Sequence, residues 1–161
     1  MSYARIRHPE PISVKLSSVL DRAGSILATD FDAASVHLEI QPAGSWILAD
    51  EEMLLQVLLN LLLNSLHACN DGNSVQITTS LKGATIALLV VDDGVGIEAD
   101  FLNEVFKPYV SGRSNGHGMG LPIVRRIIEQ HNWTITISSF PERGTTVTVS
   151  GLQTTQPPEE S

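Results

Sequence analysis

The chain predicts an α+β fold of two layers, with helices packed on one face of a mostly antiparallel sheet. Three segments repeat their apolar residues at helical spacing, and three pairs of short segments alternate apolar and polar residues as strands do. Most of these segments are joined by short turns, which favours antiparallel pairing with the helices gathered on one side. A doubly wound nucleotide fold is excluded, because it would alternate single strands with crossover helices.

Residues 1 to 12, with Arg5, Arg7, His8, Pro9, Glu10 and Pro11, read as a polar linker or the end of a preceding helix. Ser13 is the expected N-cap of a first amphipathic helix, carried by Leu16, Val19, Leu20, Ala23, Ile26 and Leu27. Val36, Leu38 and Ile40 then alternate with His37 and Glu39, and Pro42-Ala43-Gly44 turns the chain toward Trp46 and Leu48. A hairpin is expected there, with His37 facing solvent.

Residues 50 to 69 organise the rest. Leu54, Leu55, Val57, Leu58, Leu59, Leu61, Leu62, Leu63 and Leu66 surround a helix axis almost completely, so this helix should lie between other elements. It should end near Asn70-Asp71-Gly72. Val75, Ile77, Thr79 and Leu81 form a strand, Lys82-Gly83 turn, and Thr85 to Val91 are apolar on both faces, as in a central strand. Residues 92 to 118 are glycine-rich loop with a short helix at Phe101 to Phe106. Leu121 to His131 is a helix with Pro122 tolerated in its first turn. Two strands close the fold, on Trp133, Ile135 and Ile137 and on Thr145, Val147 and Val149. One domain is therefore expected over 13 to 152, with 153 to 161 a disordered tail.

Composition narrows the function. A net charge of −8 without a basic cluster argues against a nucleic-acid surface. No apolar run is long enough to cross a bilayer, and Cys69 is the only cysteine, so a cytoplasmic, reducing setting is expected. Chemistry is carried by three stretches. Gln56, Asn60, Asn64 and His67 are spaced to form one polar stripe on the leucine-rich helix, where carboxamide oxygens would suit Mg²⁺. Asp92-Asp93-Gly94-Val95-Gly96-Ile97 follows a buried strand and places a carboxylate beside a tight turn, where an adenine amino group or turn amides would be its donors. Gly116-His117-Gly118-Met119-Gly120-Leu121 opens a helix, where close backbone approach and free amides favour phosphate. The lysine and hydroxyl of a P-loop are missing.

In order, the chain shows an Asn-bearing helix, DDGVGI after a strand, Phe106-Lys107-Pro108-Tyr109, GHGMGL opening a helix, and Gly144-Thr145-Thr146 before the last strand. This resembles the catalytic ATP-binding domain of bacterial sensor histidine kinases, which shares the Bergerat fold with gyrase, the heat-shock chaperone and mismatch-repair ATPases. The resemblance covers about Ser13 to Ser150. It implies that Asn64 coordinates Mg²⁺, that Asn60 lies beside it near the triphosphate, and that both serve phosphoryl transfer. It implies His67 near phosphate, Asp92 accepting from the adenine amino group, and Gly94 and Gly96 shaping that pocket. Gly116, Gly118, Met119, Gly120 and Leu121 would cradle the phosphates under a lid that also carries Arg113, and Thr145 or Thr146 would join the adenine end through a water.

Hydrolytic relatives carry a glutamate base where this sequence has Asn60, and an amide cannot take a proton from water, so a kinase is expected. None of His8, His37, His67, His117 and His131 sits in a phosphoacceptor helix. The acceptor histidine is therefore expected on a separate dimerisation domain of a parent kinase, which would signal to a response regulator. The same fold also admits a serine kinase acting as an anti-sigma factor, or a nucleotide-binding interaction module without phosphotransfer.

Overall fold

A computed structural model describes residues 7–41, 43–107 and 120–160. The leucine-rich segment forms one helix, Glu51–Ala68, and its length and broad apolar surface, broken only by one polar stripe, place it at the centre of the packing. Asp50 caps its first turn by accepting the Met53 amide at 3.1 Å, and Glu51 and Glu52 favour the positive helix end.

Among the described residues the elements run β1 (Ile12–Lys15), α1 (Leu16–Ala33), β2 (His37–Ile40), β3 (Trp46–Ala49), α2 (Glu51–Ala68), β4 (Ser74–Lys82), β5 (Thr85–Asp92), α3 (Ala99–Leu102), α4 (Gly120–Gln130), β6 (Thr134–Phe140) and β7 (Gly144–Thr155). The strands make a single sheet in the order β1-β3-β7-β5-β4-β2, with β6 also paired to β7. All pairings are antiparallel except β2 with β4. Ile86, Leu88 and Val90 of β5, and Val75 and Ile77 of β4, are buried under α2, which also contacts α1 and α4. The two-layer α+β arrangement expected from the sequence is the one observed, with β5 central.

Along one edge, β7 pairs first with β6 and then, after Gly151, with β3. Gly151 has φ +88°, a left-handed conformation that glycine adopts without strain where the strand changes partners.

Five local expectations are corrected. The β2–β3 hairpin does not form: β2 lies parallel to β4, from His37↔Ser74 to Ile40↔Ile77, while β3 lies between β1 and β7. The apolar side of β2 is taken by α1, where a Cβ on Gly24 would come within 2.7 Å of Ile40 Cδ1, so β2 folds back on its own helix. Pro42 of the expected turn lies outside the described residues. Ser13 does not cap α1; it sits in β1 with its hydroxyl 2.6 Å from Thr155 Oγ1, and Lys15 occupies the cap position without a side-chain bond. Ile26 is exposed, off the buried face that continues through Leu27 and Phe31. Finally, β7 runs through Thr155, three residues into the expected tail, because Ile47 and Trp46 pair with Thr154 and Thr155. The short helix also falls earlier than expected, at Ala99–Leu102.

Candidate nucleotide site

Residues of β5 that face the helices are apolar at 86, 88 and 90, and the next in that phase is Asp92. Strand alternation thus delivers a carboxylate to the covered face of the sheet. The register sets Thr145 of β7 opposite Asp92, and Ser139 of β6 opposite Thr145, so all three side chains share that face. All three are buried. Asp92 Oδ1 accepts the Gly94 amide at 3.0 Å. Burial pushes the Asp92 carboxyl above the usual range; the Gly94 amide, the Ser65 hydroxyl and the Thr145 amide oppose this, and Asp93 adds to it. Every donor is neutral.

The turn after Asp92 is latched to α2. Val95 donates its amide to the Ala68 carbonyl at 2.9 Å, and a Cβ on Gly94 would overlap that same carbonyl, so the close approach needs glycine. Gly96 lies against the Phe140 carbonyl, and the Glu142 amide donates to Val95 O at 2.6 Å, closing the turn onto the β6–β7 connection.

The polar stripe of α2 is its open face. Gln56 and His67 are exposed, and Asn60 and Asn64 are half-buried. Helix α4 begins directly above them. A Cβ on Gly120 would lie 3.6 Å from Asn60 Oδ1 and 3.7 Å from Asn64 Nδ2, so both carboxamides meet the first turn of α4, the end of a helix that favours an anion. Leu121, next in α4, is half-buried against the core. Neutral oxygen donors beside an anion-favouring helix start suit Mg²⁺, which keeps most of its ligands as phosphate and water. Thr146 pairs with Val91 and alternates to the opposite face from Thr145, so Thr145 is the threonine beside Asp92. Gly116, His117, Gly118 and Met119, with Arg113, Pro108 and Tyr109, lie outside the described residues.

Two site residues escape the motif reading. Ser65 lies on the buried side of α2, next in sequence to Asn64, and its hydroxyl meets the Asp92 carboxylate. Ser139 accepts the Ile97 amide at 2.8 Å and lies 2.7 Å from Thr145 Oγ1. The available signal was phase: each occupies a position where the pattern calls for an apolar residue, and a buried hydroxyl there needs a partner.

The Ser65 contact places the Asp92 carboxylate and the Asn60–Asn64 carboxamide pair along one helix. Residues 49–156 match the family described as Histidine kinase-, DNA gyrase B-, and HSP90-like ATPase, and the chain belongs to that family of ATP-binding domains. Among curated relatives it is similar to the sensor histidine kinase ZraS of Escherichia coli, 34% identical over 85% of this chain and 30% of the relative. It is also similar to the sensory histidine kinase/phosphatase NtrB of Rhodobacter capsulatus, 35% identical over 88% of this chain and 44% of the relative. The chain thus spans less than half the length of these proteins. The fold is shared with the nucleotide-free catalytic domain of histidine kinase ThkA, with a TM-score of 0.79 and 20% identity over 89% of this chain and 96% of that one. It is shared too with full-length ShkA in complex with AMPPNP, with a TM-score of 0.81 and 23% identity over 94% of this chain and 33% of that one. No helix among the described residues is long and apolar enough to cross a membrane.

Proposed function

We propose that the chain binds Mg²⁺–ATP and donates the γ-phosphoryl group to a histidine on the dimerisation domain of a parent two-component kinase in the cytoplasm, which then serves a response regulator. The carrying observation is that α2 brings Asn60 and Asn64 against the start of α4 while Ser65, one residue on, meets Asp92. A nucleotide bound along α2 would set its base amino group on Asp92 and its phosphates at the carboxamides and helix amides. Asn64, with Asn60 beside it, would hold Mg²⁺, which supplies charge neutralisation of the phosphates. Gly94 and Gly96 shape the base end, Gly116, Gly118, Met119, Gly120 and Leu121 belong to the phosphate end, and His67 lies on the last turn of the same stripe. With Asn60 in place of a carboxylate there is no group at that position to deprotonate water, which supports transfer over hydrolysis.

His131 is unsuited to be the acceptor. Its Nε2 accepts the Asp50 amide at 3.1 Å and its Nδ1 donates to the Ile127 carbonyl at 2.9 Å, so both ring nitrogens are engaged within the fold. The reading is tested by mixing the chain with a histidine-containing dimerisation domain and [γ-³²P]ATP. Acid-labile, alkali-stable phosphate on the added domain is expected, and Asn64→Ala should weaken Mg²⁺-dependent ATP binding while leaving adenosine affinity unchanged. Label on serine, or an equal loss for adenosine and ATP, would contradict it.

A further inference from the structure

Ser139 lies outside every motif above, yet it is buried where the site's base end is closed. Its hydroxyl accepts the Ile97 amide at 2.8 Å, and it has the Gly144 carbonyl at 3.0 Å and Thr145 Oγ1 at 2.7 Å within reach. A hydroxyl has one proton to donate and two lone pairs. If Ser139 donates to Thr145, the Gly144 carbonyl loses this donor and Ser139 keeps an unused lone pair. If Ser139 donates to Gly144, Thr145 donates to Ser139, and all of Ser139's capacity is used. Buried polar groups take the fully paired arrangement. In it the Thr145 proton points at Ser139, and Thr145 Oγ1 is left as an acceptor only.

We infer that Ser139 is a positioning residue that sets the Thr145 hydroxyl as an acceptor beside Asp92, so that the pocket selects a purine presenting an exocyclic amino group over one presenting a carbonyl. This rests on the nucleotide reading above and deepens it. Asp92 and Thr145 then form two adjacent acceptors. An amino group has two protons to offer them, whereas a carbonyl oxygen would face two acceptors and none of its own kind of partner. The same serine ties Ile97, at the end of the Asp92 turn, to β7, so the turn and the threonine are placed together.

The test is competition of ADP and of IDP, which carries a carbonyl where ADP carries the amino group, against a fluorescent ATP analogue on the whole chain. Wild type, Ser139→Ala, Ser139→Thr and Thr145→Val are compared, each checked by thermal unfolding. Ser139→Ala should lose about tenfold in ADP affinity, the size of one buried hydrogen bond, and keep or gain IDP affinity, so that the ADP/IDP ratio falls. Thr145→Val should lower the ratio as well, and Ser139→Thr, which restores the hydroxyl, should recover it. Equal losses for ADP and IDP in Ser139→Ala, or an unchanged ratio, would overturn the inference while leaving nucleotide binding intact. A folded wild type that binds neither nucleotide overturns the nucleotide reading, and this one with it.

Discussion

Asp50 and Asp92 are buried alike, at 4% and 5% exposure, and their carboxyls move in opposite directions. For Asp50 burial alone would raise the pKa, but Arg7 and the amides of Glu10 and Met53 outweigh it and hold the group at about 2. Arg7 forms a two-pronged pair at 2.8 and 3.0 Å, the Glu10 amide donates at 2.9 Å, and Gln130 in turn holds the Arg7 carbonyl at 3.1 Å. This is a carboxylate whose charge is fully used to fasten the incoming chain to the ends of α2 and α4. Asp92 has only neutral donors, and burial wins. A charge buried at that cost and left partly unanswered fits a ligand that completes it. Equal burial does not give two carboxylates the same charge state; the charge of their donors decides it.

The contrast can be broken most heavily at Asp50. Asp50→Ala removes the α2 cap and leaves the Met53 and Glu10 amides without their acceptor, and should cost about 2 kcal/mol in urea unfolding, with nucleotide affinity of the folded protein unchanged. Acid comes next. Because the Asp50 carboxyl is depressed from 3.8 to about 2, its contribution is present above pH 3.8 and lost as pH falls through about 2. Stability followed over that range should drop in wild type and much less in Asp50→Ala. Asp92 carries the opposite sign: its raised carboxyl favours the fold while protonated and loses that as pH rises. Asp92→Asn, keeping an oxygen for Gly94 and Ser65, should therefore match wild type at neutral pH or exceed it by up to about 1 kcal/mol. The smallest effect concerns Cys69, whose thiol burial, Asp92 and Asp93 push up to about 12. Iodoacetamide at pH 8 should label it slowly in native protein and quickly in urea, read by mass spectrometry.

The legible parts of the chain were those whose signal is local. The leucine run, the stripe of Asn60 and Asn64, and the Asp92 turn need only periodicity to be seen. The β2–β3 hairpin failed because alternation reveals a strand but not its partner, and the parallel partner β4 lies beyond an entire helix in sequence. β1 was missed because Ile12–Lys15 has only two apolar residues, Ile12 and Val14, and Ser13 there mimics a cap. Ser65 and Ser139 were hidden by their apolar surroundings, and their partners, Asp92 and Ile97, come from other elements. Arg7 sat in a segment read as a linker, 43 residues from the aspartate that gives it a role.

Whether the Asp92 pocket holds the base is decided by calorimetric titration with a non-hydrolysable ATP analogue, with and without Mg²⁺, on wild type and Asp92→Asn. Wild-type binding should tighten with Mg²⁺, and a folded Asp92→Asn should lose at least about 100-fold in affinity, as expected when a buried base contact is left unpaired. Equal affinity in the two proteins would show that the Asp92 pocket does not hold the base.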